Sequence, residues 1–505
     1  MRRSICCVLG LSLLASATAR AETEGEGSWR DHVTLLLSER IRGEFVDWFQ
    51  PPAGAAPSGA SRYNFLGSQL RAGFKVNVPY LDLTVVGQDT RLVNLPDDAS
   101  GIPGLGNLGP GAIYFAQSPH LHRDNTNQGE PFLKEGWIRV RDLPHVDGFT
   151  LDGGRFEYSD GLETMPKDAT LAWLKKQRIG ERLVGPFGYT HVTRSFDGLR
   201  AAYNQPLYNV TAVALHPTAG GYEISANREI SDIGLAGLAA TVKPFGDAIP
   251  ADARLFYLYY EDRRFGERQP GDTPPPVKVD NRPLAVRKAD TDAIAIQMGG
   301  AHFITAFPLG PGAVDGLAWG VVQGGDWGVQ KHSAWAFALE AGYQVKSLPW
   351  SPWLRAGYDQ SSGDDDPNDD EHHTFFQVIP TSRIYAQFPF YNLMNSQDTF
   401  VQMIVKPHER VTLRTDWHWV RLTEKRDLWY SGGGATNDDV FGFSGIAANG
   451  HRELAQLVDV GVNVTLLKQL SAYGYYGHAF GGGVVKKSFA ESDANYGYVE
   501  LTFRY

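Results

Sequence analysis

The chain has 505 residues, with 47 lysines and arginines against 57 aspartates and glutamates, a formal net charge of −10 at pH 7. This acidic balance argues against nucleic acid, or any other broad anionic surface, as a partner. After residue 21 no stretch approaches the roughly 18 uninterrupted apolar residues of a membrane helix, so a helical membrane protein is excluded.

The N-terminal segment has the composition of a secretory leader. Two arginines precede an apolar run, and Ala19-Arg20-Ala21 supplies the small-x-small pattern cut by signal peptidase. We therefore expect residues 1–21 to be a signal peptide removed after Sec-dependent export, and residues 22–505 to form a single mature domain. Both cysteines, Cys6 and Cys7, lie in the leader, so the mature chain is expected to take no stability from disulfides.

Alternation of apolar and polar residues follows along the chain. Residues 65–78, 335–345 and 458–466 each place apolar side chains on one face and polar or small ones on the other, which is typical of β-strands. In the first segment, for example, Phe74 falls on the face opposite Arg71. One such strand fits a soluble sandwich as well as a membrane barrel, so the connections between strands decide the fold class.

These connections alternate between short and long. Short turns are predicted near residues 79–80, 143–148, 205–206, 245–251, 307–313, 347–352, 407–409 and 468–469. Long loops are predicted near residues 48–63, 91–132, 158–195, 263–290, 362–395, 423–452 and 482–494, with two further outer connections near 217–233 and 329–333. The pattern predicts an all-β fold, a transmembrane antiparallel β-barrel of about 18 strands with short periplasmic turns and long extracellular loops.

The chain ends on YGYVELTFRY, which alternates apolar residues outward and finishes on an aromatic residue. This resembles the terminal strand by which outer-membrane barrels are recognised for insertion, although a terminal strand of a soluble sheet is the alternative. Tyr80, Phe149, Trp350 and Trp353 lie at presumed strand ends. They suit the aromatic girdles at a membrane surface, and each could equally be a core residue.

Four segments resemble the alginate export proteins, outer-membrane barrels that pass a polyanionic uronic acid polymer. They are residues 153–156, 178–203, 391–430 and the closing strand, and the similarity spreads over most of residues 30–505. The family often has Gly-Arg-Gln where this chain reads Gly154-Arg155-Phe156. The resemblance implies a channel in the cell outer membrane that exports an anionic exopolysaccharide, such as an alginate-like polyuronate.

Passage of a polyanion requires fixed positive charge at the narrow point, because each entering carboxylate must replace lost hydration with fixed donors. Arginine suits this task since its planar fork pairs with carboxylates and stays charged. The alternative for any one arginine is that paired charges simply fill a polar barrel interior. The arginines expected to line the lumen and contact the polymer are Arg71, Arg139, Arg141, Arg155, Arg178, Arg182, Arg200, Arg355 and Arg414.

Three loops carry further expectations. The loop 158–195 is rich in lysine and arginine, which favours either an inward fold that narrows the pore or a solvated cluster that contacts lipopolysaccharide. The Gly- and Pro-rich loop 91–132 fits an extracellular lid or a disordered segment. The acidic run 364–370, followed by His372 and His373, lacks the spacing of a calcium loop, so we predict no metal and no other cofactor.

An enzyme is not expected, because the chain contains no Gly-x-Ser-x-Gly nucleophile elbow, and histidines such as His418 and His478 have no compact Ser/His/Asp grouping. The alternative to polymer export is a general or anion-selective diffusion porin for small solutes. The expected partners are the anionic polysaccharide, outer-membrane lipid and lipopolysaccharide. The chain has no coiled-coil or repeat segment of its own, so a periplasmic export scaffold would be a separate protein.

Overall fold

The computed structural model describes residues 32–57, 60–117, 125–243, 250–381 and 386–505. These residues form a closed antiparallel β-barrel of 18 strands. The barrel closes because β1 (Val33–Asp47) pairs with β2 (Arg62–Val78) on one side and with the last strand, β21 (Asp493–Arg504), on the other. The predicted signal peptide lies outside the described residues.

The other barrel strands follow one another around the wall in chain order, each antiparallel to its neighbours. They are β3 (Leu81–Val93), β4 (Gln128–Arg141), β5 (Phe149–Phe156), β6 (Phe196–Asn204), β7 (Tyr208–Pro217), β8 (Ile233–Val242), β9 (Ala251–Asp262), β10 (Ile294–Leu309), β11 (Gly312–Trp327), β12 (Gln330–Gln344), β13 (Trp353–Ser361), β15 (Ser396–His408), β16 (Val411–Leu422), β19 (Glu453–Thr465) and β20 (Leu470–Gly481).

The remaining elements lie in the loops. They are the strands β14 (Glu371–His372), β17 (Leu428–Gly432) and β18 (Phe443–Ala447), and the helices α1 (Pro110–Gln117), α2 (Ala169–Leu174), α3 (Leu284–Ala289) and α4 (Gly483–Ser488), with α2 running into a π-helical turn at Lys175–Ile179. Within the described ranges, none of the helices is long and apolar enough to cross a membrane.

Each predicted turn and loop coincides with a connection between two neighbouring barrel strands, and the predicted strand number is confirmed. Several predicted ranges extend into the strands: the turn predicted at 307–313 is only residues 310–311, and the connection predicted at 329–333 is only residues 328–329. Of the turn predicted at 245–251, residues 245–249 lie outside the described residues. The turn between β2 and β3 has two residues, 79–80, whereas the loop between β5 and β6 runs over residues 157–195. In outer-membrane barrels the end with tight turns faces the periplasm and the end with long loops faces outward. The two ends are called the turn end and the loop end below.

The outer face of the strands is apolar. Leu255, Val322 and Leu339 are each more than half exposed, because in an outer-membrane barrel this face meets lipid rather than other protein. Phe74 is exposed on this face while its neighbour Arg71 turns inward, so the alternation seen in the sequence is confirmed. Alternate strand residues, such as Arg71, Arg139 and Arg254, therefore turn toward the lumen.

The aromatic residues at the turn end divide into two groups. Tyr80 and Trp350 are exposed, as a girdle requires. Trp353 is buried, and its Nε1 donates a hydrogen bond to Asp315 at 2.7 Å, so the expectation of a girdle position for Trp353 is wrong. The reason is that side chains two residues apart on a strand point to the same face, so Trp353 shares the inward face of β13 with Arg355.

Candidate functional site

The loop between β5 and β6, residues 157–195, folds into the barrel and is called the lumen loop. Its first part is fixed to β9 by buried ion pairs. Arg254 donates to Asp160 and to Glu163, each at 2.6 Å. Lys175 reaches Asp252 at 2.8 Å, and burial lowers the pKa of this lysine. The loop is thereby held close to the turn end of β9.

The second part of the lumen loop is fixed to β12 and β13. Arg178 pairs with Glu340 at 2.8 Å, and Arg182 pairs with Asp359 at 2.9 Å. Arg355 of the wall completes the network, 3.0 Å from Glu340. All five side chains are buried, and removing one partner from such a buried network leaves an uncompensated charge, which is strongly destabilising.

The third part of the lumen loop lies against β1 to β3. Arg40 donates to the carbonyl of Gly188 at 2.8 Å, and Arg42 donates to that of Tyr189. His191 Nε2 lies 2.8 Å from Glu44 Oε1. Burial, together with the positive charge of Arg42, lowers the pKa of His191 to about 4.

The lumen loop also contacts two of the outer loops. Gly185 N donates to the carbonyl of Ile379, and Ile379 N donates to that of Leu183, both at 2.9 Å. Arg194 donates to the carbonyls of Gly433 and Ala435, at 2.5 and 3.1 Å. The loop therefore crosses the lumen from β9, past β12 and β13, to β1. Of the two arrangements considered from the sequence, the loop thus adopts the inward fold.

Five of the predicted arginines lie together on the inner face of β2 to β6 and are called the basic wall: Arg71, Arg139, Arg141, Arg155 and Arg200. Strand register explains part of this grouping. Asp82, Arg139, Asp152 and Arg200 are direct cross-strand partners on β3, β4, β5 and β6, and charges of opposite sign favour such pairing.

Two arginines of the basic wall, Arg139 and Arg200, are more exposed than the acid that pairs with both of them. Arg139 donates to Asp152 at 2.6 and 3.0 Å, Arg200 donates to the same carboxylate at 2.6 Å, and Arg141 donates to Asp82 at 3.0 Å. The side chains of Arg139, Arg141 and Arg200 are 26%, 30% and 25% exposed, against 1% for Asp152 and 4% for Asp82. Arg141 also pairs with Asp142, whose side chain is 63% exposed, so the accessible positive charge of this region lies on Arg139 and Arg200.

The other two arginines of the basic wall have accessible partners. Arg71 pairs with Glu157 at 3.0 Å, and Arg155 pairs with Asp197 at 2.6 Å. In both pairs the acid is more exposed than the arginine. These two pairs offer a passing anion less net positive charge than Arg139 and Arg200 do.

The remaining predicted arginines lie elsewhere. Arg178, Arg182 and Arg355 are buried in the network that holds the lumen loop, and a role in direct binding stays a prediction for them. Arg414, on β16, bonds to Asp416 and lines a cavity of about 440 Å³ with Lys176 of the lumen loop. This cavity lies on the opposite side of the barrel from the basic wall.

Two inward cations were missed from the sequence. Lys134 is buried, 3.0 Å from Glu157, but regular alternation from Arg139 places it on the outer face. A β-bulge in the pairing of β3 with β4 shifts the parity at this point, and no sequence signal reveals it. Arg254 follows the alternation of β9, so the same reading of parity could have found it.

The comparisons agree with this geometry. The barrel and its polar lumen define an outer-membrane channel. The alginate export family model matches residues 157–499, and the chain belongs to the alginate export family. Family and fold together place it in the outer membrane and point to transport rather than catalysis. The sequence matches no curated protein.

Solved structures share the fold at low identity. OccAB2 of Acinetobacter baumannii has a TM-score of 0.57 and 10% identity, covering 95% of this chain and 99% of that chain. OpdK of Pseudomonas aeruginosa with vanillate has a TM-score of 0.54 and 9% identity, covering 95% and 100%. OccK2 (OpdF) of the same organism, in complex with glucuronate, has a TM-score of 0.53 and 8% identity, covering 94% and 98%. At these identities the similarity shows a common fold.

Proposed function

We propose that this channel exports an anionic polysaccharide of the alginate-like polyuronate class along the basic wall. The observation that carries the proposal is the exposure of Arg139 and Arg200 while the carboxylate that they share, that of Asp152, stays buried. Membership of the alginate export family supports the same cargo. A carboxylate in the lumen would meet guanidinium groups first.

The paired state of these arginines suits transport better than tight binding. Arg139 donates to Asp152 from Nε and Nη2, and its Nη1 carries two further hydrogens for a passing carboxylate. Because Asp152 offsets part of the charge, each contact is weak enough to be released. Conduction requires such weak and repeated sites. A polymer with one carboxylate per sugar would move from one guanidinium to the next.

The proposal is tested by recording from the full-length barrel in a planar bilayer. We expect an anion-selective pore that oligouronates block from either side, with an affinity that falls as salt rises, because the attraction is Coulombic. Replacing both Arg139 and Arg141 by alanine should weaken selectivity and block at least several-fold. Lys346→Ala, which removes a charge at the turn end, is the control. A cation-selective wild-type pore, or one indifferent to polyanions at low salt, contradicts the proposal.

Diffusion of small carboxylates is the second candidate function. It is favoured by two structures with the same fold, one in complex with glucuronate and one with vanillate. The two functions are separated by comparing glucuronate with oligoglucuronates on the same pore. A diffusion porin would pass the monomer at a high rate and show little block by long oligomers, whereas an exporter would bind the oligomers more tightly than the monomer.

The remaining expectations belong to the same proposal. The polymer would enter from a separate periplasmic scaffold at the turn end, and the outer surface would contact lipid and lipopolysaccharide. We propose that residues 1–21 are removed, so that the mature chain begins at Glu22. Mass spectrometry of the protein purified from outer membranes tests this point, and a mature chain that retains the leader contradicts it.

A further inference from the structure

A second polar cluster lies on the wall opposite the basic wall, on β15, β16 and β19. Gln402, Asp416 and Asp459 are direct cross-strand partners, and His418 follows Asp416 on the same inward face of β16. Asp398 of β15 lies beside the histidine. All five side chains are at least nine-tenths buried.

Three of these side chains converge. One carboxylate oxygen of Asp416, one of Asp459 and one ring nitrogen of His418 all lie within 4.8 Å of one another. Ligand atoms that each lie about 2.0–2.2 Å from one ion are at most about 4.4 Å apart, so a shift of the side chains by a few tenths of an ångström brings this spacing within the range of a shared ion. The three residues come from only two adjacent strands, so the regular sheet fixes their separation.

Two of the three converging residues also have buried polar atoms without a partner, whereas Asp459 accepts a hydrogen bond from Tyr475 at 3.2 Å. Within the part of the chain that the structure describes, His418 Nε2 and Asp416 Oδ1 are buried and have no hydrogen-bond partner. The same holds for Asp398 Oδ1. Buried polar groups of proteins are almost always satisfied, so several such atoms at one place indicate a missing ligand.

The histidine is oriented as a metal ligand would be. Its Nδ1 lies 2.8 Å from Asp398 Oδ2, and Tyr391 donates to the same carboxylate oxygen at 2.8 Å. A carboxylate that accepts a hydrogen bond from Nδ1–H keeps the proton on Nδ1 and leaves the lone pair on Nε2. This carboxylate–histidine arrangement is the usual support of a metal-binding imidazole.

The charge of the cluster favours a divalent cation. Asp398, Asp416 and Asp459 are three carboxylates, and Arg414 is bonded to one of them, Asp416, at 2.6 Å. Two buried negative charges are therefore in excess when all three are ionised. An excess of buried charge costs several kcal/mol per ion unless it is compensated, and one divalent ion compensates it fully.

We propose that Asp416, His418 and Asp459 bind a divalent transition metal ion of the zinc class, with Asp398 as the residue that orients His418. Imidazole nitrogen favours zinc and its neighbours over calcium and magnesium, which prefer oxygen ligands throughout. The fourth ligand would be water or Gln402 Oε1. The ion would join β16 to β19, and Arg414 connects it to the cavity of about 440 Å³, from which it would enter.

Metal binding is tested on tag-free, full-length barrel in detergent, stripped with chelator and equilibrated with Zn²⁺. We expect about one zinc per barrel by elemental analysis, and Co²⁺ in its place should give the visible absorption of a nitrogen- and oxygen-ligated ion. His418→Gln, and Asp416→Asn combined with Asp459→Asn, should each weaken zinc binding at least tenfold. His302→Gln is the matched control, because His302 is equally buried and bonded to Asp252.

Heat-modifiable migration on gels confirms that each variant is folded, and Asp459→Asn alone replaces any variant that is not. The result that overturns the proposal is the absence of stoichiometric zinc in the wild type at micromolar free metal. Wild-type affinity in both folded variants overturns it as well, because the metal would then be bound elsewhere. The test does not depend on which solute the channel carries.

Discussion

Arg139 and Arg200 donate to the same carboxylate, that of Asp152, from the two strands that flank it. The acid is almost completely buried and each arginine is about one quarter exposed. One negative charge thus holds two positive ones in place without neutralising both. The positive charge that Asp152 does not neutralise therefore lies on the side that faces the lumen.

Charge changes at this point should alter selectivity in opposite directions. Asp152→Asn leaves both arginines unneutralised, so we expect a higher anion-to-cation permeability ratio, with a loss of stability of about 1–3 kcal/mol because buried donors lose their acceptor. Arg139→Gln should lower the ratio. Reversal potentials in a salt gradient measure both effects. The control is Asp326→Asn, which alters an exposed pair with Lys331 at the loop end and should leave the permeability ratio unchanged. Equal permeability ratios in all of these variants would contradict the role of the basic wall.

The anchor of the lumen loop should limit conductance. Glu340 accepts from Arg178, Arg182 and Arg355, so Glu340→Gln removes the charge that three buried arginines share. We expect a loss of stability of about 3–5 kcal/mol and a larger, noisier single-channel conductance as the loop detaches. Glu261→Gln, at an exposed pair, is the control. An unchanged conductance in a folded Glu340→Gln barrel would mean that the loop does not obstruct the pore.

Lowering the pH should detach the third part of the lumen loop from β1. His191 faces Glu44, Arg42 and Arg40 of β1 and the hydroxyl of Tyr114. Its pKa is lowered to about 4 by burial first and by Arg42 second, so its contribution is complete above the unfolded value of about 6.5 and is lost as pH falls below it. At pH 5 the loss is about 2 kcal/mol.

We therefore expect loop opening, measured as a rise in conductance or in protease sensitivity near residue 190, to begin below about pH 6. His191→Gln has no charge to gain, and its opening should depend less on pH over this range. A wild type and a His191→Gln variant with the same pH profile would show that another group controls the transition.

Topology is tested by inserting epitope tags in intact cells. Gly104 and Asn368 are exposed in loops at the loop end, and Lys468 lies in a turn at the other end. Tags at the first two positions should be accessible to antibody, and a tag at Lys468 should become accessible only after the outer membrane is permeabilised. Protection of both loop tags would reverse the orientation of the barrel.

The strands and their faces could be predicted because lipid outside and water inside impose a strict period of two. The path of the lumen loop could not, because Arg178 and Glu340 are 162 residues apart and no local pattern joins them. The cluster around His418 could be predicted only in part. Parity places Asp416 and His418 on one face, but the register with Asp459 depends on pairing across the loop 423–452.

The lumen loop also constrains how the barrel assembles. Glu340 and Asp359 lie on strands that follow the loop in the chain, and both carboxylates are buried against Arg178 and Arg182. A barrel that closed without the loop inside would hold these acids with fewer partners, at a cost of several kcal/mol. The inserted loop and the later strands therefore stabilise each other, and we expect these strands to form around the loop, which would act as a template for the interior of the barrel.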